Sequence, residues 1–140
     1  MSFFRDIGRI LLQEEKSGSE TPSSDMEIHA LTSDENLEKA FSHSMDEPVV
    51  IFKHSMTCPI SGMARRRILH LVESDDPPVY EVVVQTARPL SQKLEQELGI
   101  RHESPQVIVL HKQAPIYNAS HHMISVDEIR SITEQATASE

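Results

Sequence analysis

The chain has 140 residues, 38% of them apolar, and 13 basic against 22 acidic side chains give it a formal net charge of −9. This length predicts a single domain, and the acidic balance argues against a nucleic-acid binder, because such proteins neutralise phosphates with clustered cations. No apolar run approaches the roughly 18 residues of a membrane span and the first 25 residues lack a secretory signal, so we expect no membrane span and a cytoplasmic protein.

The first 26 residues are predicted to form an extension outside the folded domain. Residues 16–25 are small and polar and contain Pro and Gly, as flexible linkers do. Before them, apolar residues recur at helical spacing, which suits a helix that docks on a partner or a membrane surface. A segment this short favours folding back or disorder instead. The domain itself is expected over 27–132, with 133–140 as a frayed tail.

Strand-like and helix-like segments alternate from residue 27 onward. Continuous apolar runs are typical of strands covered on both faces, and apolar residues at helical spacing indicate the helices between them. The predicted elements are, in chain order, a strand over 27–31, a helix over 33–43, a strand over 48–53, a helix over 59–72, a turn over 75–78, a strand over 79–84, a helix over 89–98, a strand over 107–110, a turn over 112–115, a short strand around 116–117 and a helix from 126. This order predicts an α/β fold with helices on both faces of a central mixed sheet.

Local signals predict where several of these helices begin and end. Thr32 or Ser33 is predicted to cap the first helix, and Thr32 with Glu35 matches a capping box. Gly99 stops the third helix. The last helix has the clearest start, because Ser125 fits the N-cap and Glu128 completes a capping box.

Cys58, the only cysteine of the chain, follows a buried strand and a short loop and directly precedes the second helix. Free N–H groups and the helix macrodipole stabilise negative charge at a helix start. This position therefore favours the reactive thiolate over the thiol. The alternative is a small buried hydrophobe, which is common for a free cysteine.

The charge around Cys58 is opposite to that of the whole chain. Residues 48–72 contain four basic side chains and no acid, a local charge of +4. A basic surface would favour the thiolate and attract anionic ligands, whereas an ordinary solvated helix face is the alternative. The basic residues are Lys53, Arg65, Arg66 and Arg67.

Ser61 follows Cys58 by one helical turn, where its hydroxyl could donate to the thiolate. A dithiol oxidoreductase carries a second cysteine that resolves the mixed disulfide. With serine there, we expect monothiol chemistry, in which Cys58 attacks, forms a mixed disulfide and is released by an external thiol.

Two further polar segments precede the third long strand and the last helix. Ser104 and Pro105 stand at the start of the strand, where proline removes no ladder hydrogen bond. A cis bond would turn the backbone at Ser104 toward a ligand, but an ordinary trans bond is the default. Ser120 and His121 precede the last helix and could hold an anionic ligand, unless they form a plain polar loop.

The stretch Phe52-Lys-His-Ser-Met-Thr-Cys-Pro-Ile-Ser61, with Ser104-Pro105 and Ser120-His121, resembles the monothiol bacilliredoxin family (YtxJ type) over roughly residues 28–132. The resemblance implies a thioredoxin-like fold with a cis-proline beside the cysteine, and removal of bacillithiol from protein mixed disulfides. It makes Cys58 the nucleophile and puts Ser61 where a resolving cysteine is found elsewhere. Thr57, Pro59, Ser61, Ser104, Pro105, Ser120 and His121 would contact the thiol or the protein substrate.

The predicted function is thus monothiol thiol–disulfide exchange, with bacillithiol or a similar low-molecular-weight thiol as co-substrate. Bacillithiol carries a malyl group, so the basic segment and the loop around Ser120 could bind its carboxylates. We expect S-thiolated proteins and a disulfide reductase as partners, and no permanently bound cofactor or metal ion.

Other functions fit the sequence less well. A thioredoxin-like binding module or redox sensor without catalysis is the main alternative.

Sharing of an iron–sulfur cluster through one cysteine is disfavoured, because Pro59 departs from the pattern of monothiol glutaredoxins. A peroxiredoxin would carry proline where Ile51 stands. Zinc is disfavoured because the adjacent His121 and His122 cannot easily face one ion, and the other histidines are scattered.

Overall fold

The computed structural model describes residues 28–73 and 77–139. Its elements are, in chain order, β1 (His29–Ala30), α1 (Asp34–His43), β2 (Val49–His54), α2 (Pro59–Glu73), β3 (Val79–Val83), α3 (Arg88–Leu98), β4 (Gln106–His111), β5 (Ala114–Ser120), a 3₁₀ turn (His121–Met123) and α4 (Val126–Ala138). The predicted extension and linker over 1–26, and turn residues 75 and 76, lie outside the described residues. None of the helices in the described part combines the length and apolar character needed to cross a membrane.

The five strands form one mixed sheet in the order β1-β3-β2-β4-β5. β1 and β2 run parallel to β3, whereas β4 runs antiparallel to both β2 and β5. Parallel neighbours need a crossover connection, and α2 provides it between β2 and β3. The predicted mixed sheet and element order are confirmed.

Side chains of β2 alternate between two apolar layers, one on each face of the sheet. Val49 and Ile51 point into the layer covered by α1 and α3, and Val50 and Phe52 into the layer covered by α2 and α4. All four are fully buried. Burial of each such side chain contributes about 1.5–3 kcal/mol, so β2 is firmly held and fixes the position of the loop that follows it.

The helix ends agree with the predicted signals, and at α1 the cap is Ser33, one of the two predicted candidates. Ser33 caps this helix, and its Oγ accepts from the N–H of Asn36 at 3.1 Å. Asn36 Oδ1 in turn accepts from Thr32, so the capping pair lies one residue after the predicted Thr32 and Glu35 box. Gly99 ends α3 at φ 69°, the left-handed conformation that glycine adopts without strain.

Two boundaries near the C-terminus differ from prediction. Lys112 and Gln113 have φ values of 57° and 64°, so a two-residue turn joins β4 to β5, and β5 begins already at Ala114. Positive φ at both central positions is the hairpin geometry that matches strand twist. The predicted tail from 133 is part of α4, which continues to Ala138 because Thr133 is buried against the domain.

Ser125 caps α4 as predicted, and its Oγ accepts from the N–H of Glu128 at 3.3 Å. The Glu128 carboxylate instead accepts from the Tyr117 hydroxyl at 2.5 Å. We expect Ser125→Ala to lower the free energy of unfolding by about 1 kcal/mol, because the N–H loses its acceptor. Urea titration measures this loss. Ser131→Ala on the exposed side of the same helix is the control, and equal losses in the two variants would contradict the assignment.

Candidate active site around Cys58

Cys58 occupies the N-cap of α2, as predicted. Its carbonyl accepts the first helical hydrogen bond, from Gly62 N–H at 3.2 Å, and its own N–H reaches Ser55 O at 3.4 Å. The side chain is partly exposed rather than enclosed in the apolar core. No described residue donates a hydrogen bond to Sγ, so the predicted hydrogen bonds from free N–H groups to the sulfur are absent among these residues. Of the two predicted effects, the geometry shows only the position at the start of a helix.

The sulfur borders an open pocket of about 270 Å³ on one side of α2. Its lining combines the end of β2, the loop before Cys58 and the outer turns of α2. The lining residues are His54, Ser55, Met56, Cys58, Gly62, Arg65, Arg66 and Leu69. A group bonded to Cys58 can therefore extend along α2 toward two arginines.

The four basic residues of segment 48–72 do not form one basic surface. Lys53 is fully buried, and Arg67 borders a different pocket next to α4. Arg65 donates two hydrogen bonds to the Glu81 carboxylate, at 2.7 and 3.2 Å, and this contact raises the pKa of Arg65. Among the described residues Arg66 has no recorded ion pair, so it is the cation beside Cys58 that an anionic ligand can use.

Ser61 lies beneath the loop that carries Cys58. It is fully buried, and its Oγ accepts from Ser55 N–H at 3.1 Å. The structure records no hydrogen bond from this hydroxyl to the sulfur of Cys58. The predicted contact with the thiolate is thus absent from this structure, because the side chain points inward and supports the loop.

Gln85, just after β3, is hydrogen-bonded to the same loop. This residue was not identified from the sequence. Its Oε1 accepts from Met56 N–H at 3.1 Å, and its Nε2 donates to Ser55 Oγ at 2.8 Å and to Thr57 Oγ1 at 3.2 Å. Thr57 is therefore held by Gln85 immediately before Cys58. No local signal could identify Gln85, because only the parallel pairing of β2 with β3 brings it there.

His54, the last residue of β2, also lines the pocket. Its Nδ1 is buried and has no hydrogen-bond partner among the described residues. Burial lowers the pKa of His54, with Arg65 acting in the same direction and Glu81 and the Ser61 backbone opposing it. Burial therefore favours the neutral form of the imidazole beside Cys58.

The Ser104–Pro105 peptide bond is cis, as the resemblance implied. Pro105 is buried, and its carbonyl accepts from His121 N–H at 3.1 Å. Ser104 Oγ is buried without a hydrogen-bond partner among the described residues. The structure thus brings together the two polar segments that are separate in the sequence.

Glu103 occupies the centre of this second cluster. Ser120 Oγ donates to Glu103 Oε1 at 2.5 Å, and His121 Nδ1 lies 3.4 Å from the same oxygen. The hydrogen bond from Ser120 is the main reason that the pKa of Glu103 is lowered, and His121 adds to it. An anionic ligand at Ser120 would therefore be repelled by the Glu103 carboxylate.

The Cys58 loop and the segment around Pro105 emerge at the same end of the sheet. β2 and β4 are antiparallel neighbours in which Lys53 pairs with Gln106, so the residues after β2 lie near the residues before β4. The 3₁₀ turn that follows Ser120 packs beside α2. The polar segments predicted from the sequence thus lie at the same end of the sheet as Cys58.

Comparison with known proteins agrees with this geometry. The family described as monothiol bacilliredoxin BrxC matches residues 29–129. A solved structure described as a proposed oxidoreductase with a thioredoxin fold has 29% sequence identity and a TM-score of 0.68, covering 75% of this chain and 92% of its own. Thioredoxin from Fasciola hepatica (12% identity, TM-score 0.63, 77% and 98% coverage) and thioredoxin f from spinach chloroplast (16%, 0.63, 85% and 93%) show the same fold.

Proposed function

The chain belongs to the monothiol bacilliredoxin family, and we propose that it removes bacillithiol, or a similar low-molecular-weight thiol, from protein mixed disulfides through Cys58. The observation that carries the proposal is the position of a single, partly exposed thiol at the N-cap of α2, beside an open pocket. A helix start favours the anionic sulfur that attacks disulfides. Proposed partners are S-thiolated cytoplasmic proteins and a disulfide reductase.

The reaction transfers one disulfide bond in two steps. The Cys58 thiolate attacks the sulfur of the small thiol, a new disulfide forms to Cys58, and the protein sulfur leaves as a thiolate that takes a proton from solvent. A second small thiol, as thiolate, then attacks this adduct, which releases the oxidised small-thiol disulfide and regenerates the Cys58 thiolate. Serine at position 61 leaves no internal thiol to compete with this second step.

The structure bears on where the carboxylates of bacillithiol would bind. The sequence offered two places, the basic segment and the loop around Ser120. Glu103 already accepts the Ser120 hydroxyl, so a carboxylate there would be repelled. Arg66 borders the pocket beside Cys58 and has no recorded ion pair among the described residues. We therefore place the malyl group along α2 near Arg66.

Replacing Arg66 with glutamine tests this placement. We expect Arg66→Gln to slow exchange with a bacillithiol mixed disulfide by up to about fivefold, because one exposed ion pair contributes up to about 1 kcal/mol. Arg67→Gln is the matched control, since Arg67 is the next residue but borders another pocket. The Arg66 effect should shrink in high salt, and equal effects of the two variants would contradict the placement.

Trapping the adduct tests the function itself. The purified protein is mixed with a peptide whose cysteine is disulfide-bonded to bacillithiol, and with the same peptide carrying glutathione. We expect mass spectrometry to find bacillithiol on Cys58 and the freed peptide thiol, with less adduct from glutathione. A folded protein that forms no mixed disulfide with either peptide would favour the non-catalytic binding module.

A further inference from the structure

Lys53 is the only charged side chain among the described residues that is completely buried. It points from β2 toward the layer that contains Val49 and Ile51, on the face covered by α1 and α3. Moving an ammonium group out of water costs several kcal/mol unless partners compensate. Burial lowers the pKa of Lys53 to about 8, although the charge of Glu95 on α3 opposes this shift. Since an apolar side chain would avoid the cost of burying a charge, a lysine at this position points to a role that requires the charged group.

The nearest partner of Lys53 lies in the segment that precedes Pro105. Lys53 Nζ lies 3.3 Å from His102 Nδ1. Because an ammonium group only donates, this ring nitrogen is the acceptor and His102 is neutral. Burial and the charge of Lys53 both lower the pKa of His102, which agrees with this assignment. The backbone N–H of His102 donates to Glu95 Oε2 at 3.2 Å, so α3 holds the same residue.

The strand partner of Lys53 holds the residues on either side of His102. Gln106 pairs with Lys53 across β2 and β4. Its Nε2 donates to Arg101 O at 3.0 Å, and its Oε1 accepts from Glu103 N–H at 3.4 Å. His102 thus contacts Lys53 and Glu95, and the residues on either side of it are hydrogen-bonded to Gln106. All three residues directly precede Ser104.

We propose that Lys53 is a positioning residue: its buried ammonium group holds residues 101–104 in place and thereby sets how fast Cys58 exchanges with protein mixed disulfides. The inference rests on the proposed function, because it concerns the rate of that same reaction. Lys53 does not contact the reacting sulfur. In this inference residues 101–104 face a bound protein substrate, so Lys53 should affect exchange with protein substrates and leave reactions of Cys58 with small reagents unchanged.

The charge on Lys53 makes this positioning sensitive to pH. The charged and titratable groups around the Lys53–His102 contact are Glu95 and Arg88 on α3 and Glu103 in the segment itself. As pH rises through about 8, Lys53 loses its proton and its attraction to Glu95. Exchange with a protein substrate should then fall relative to alkylation of Cys58 by iodoacetamide, which needs only the thiolate.

The first experiment compares two rate constants in the wild type, Lys53→Met and the exposed-lysine control Lys39→Met. One is for exchange with a bacillithiol mixed disulfide of a ten-residue peptide, and the other is for alkylation by iodoacetamide. We expect the ratio of exchange to alkylation to fall about tenfold in Lys53→Met, as small displacements of positioning groups slow reactions, and to stay constant in Lys39→Met. An unchanged ratio in folded Lys53→Met would overturn the inference.

The second experiment asks whether Lys53 acts through His102. His102→Ala should lower the same ratio without disturbing β2, and it serves as the test if Lys53→Met does not fold. In the double variant the two losses should not add, because both remove one contact. Independent, additive losses would overturn the inference. The ratio in the wild type should also fall between pH 7 and pH 9, and a constant ratio would count against it.

Amide hydrogen exchange separates failure of this inference from failure of the proposed function. This measurement requires no enzymatic activity, and the exchange rates of the variants are compared at a single pH. We expect the amides of residues 101–104 to exchange about tenfold faster in Lys53→Met than in the wild type, with no change in β3. If these amides are equally protected in both, Lys53 does not position the segment. If they differ but the wild type exchanges with no peptide, the proposed function fails while the positioning stands.

Discussion

Replacing Cys58 with serine is expected to reduce exchange with a bacillithiol mixed disulfide by at least about 1,000-fold. Loss of a covalent nucleophile removes the whole reaction path, and the hydroxyl of serine is not ionised near neutral pH. The chain contains no second cysteine that could take over. The release of free peptide thiol, followed with a thiol-reactive dye, measures the loss.

The same substitution should leave the fold intact, because Cys58 lies in the partly exposed loop and contributes little to either apolar layer. Unfolding curves of Cys58→Ser and the wild type should therefore nearly coincide. A folded Cys58→Ser protein that still releases the peptide thiol would contradict the assignment of the nucleophile. Reaction of the wild type with iodoacetamide, absent from the variant, confirms that the sulfur is accessible.

Lys53→Met is expected to stabilise the fold by about 2 kcal/mol at pH 7, because methionine has a similar length and removes the cost of burying charge. The lowered pKa of Lys53 fixes the sign of the pH dependence. Between pH 8 and pH 10.5 the folded state binds fewer protons at this site than the unfolded state, so wild-type stability rises with pH. Over this interval the stability of Lys53→Met relative to the wild type should change by about 3 kcal/mol, which removes its advantage and reverses the order of the two proteins.

Urea titrations at pH 7 and pH 10 measure this change in the two proteins. Lys39→Met serves as the control, because Lys39 is exposed and its replacement should be nearly neutral at both pH values. A stability difference that is the same at both pH values would show that Lys53 is not buried as a titrating charge. Together with slower exchange, a more stable Lys53→Met would mean that stability is given up for function at this position.

Much of the fold was predictable because its signals are local. The apolar run of β2, the glycine after α3 and the serine at the start of α4 each act within a few residues of themselves. The same holds for Cys58, whose place at the N-cap follows from the strand, loop and helix around it. At α1 the neighbouring Thr32 and Ser33 offered equivalent cap signals, whereas α4 is longer than predicted because Thr133 packs against the domain.

The surroundings of Cys58 were not predictable in the same way. Gln85 reaches the loop before Cys58 across 28 to 30 residues of sequence, and Lys53 meets His102 across 49. The charge of +4 counted along 48–72 did not predict that Lys53 would be buried, or that Arg65 would form an ion pair with Glu81. Each of these contacts depends on which strands are neighbours and in what register.

The sequence alone determined the order of strands and helices and the position of a single cysteine at a helix start, because hydrophobic periodicity and capping act over a few residues. Tertiary structure alone decided which charges reach that sulfur and which hold the segment before Pro105. The physical reason is that successive residues of a strand point to opposite faces of the sheet. A side chain's partners are therefore set by the strands and helices packed on its face, such as α3 for Lys53 and α2 for Glu81.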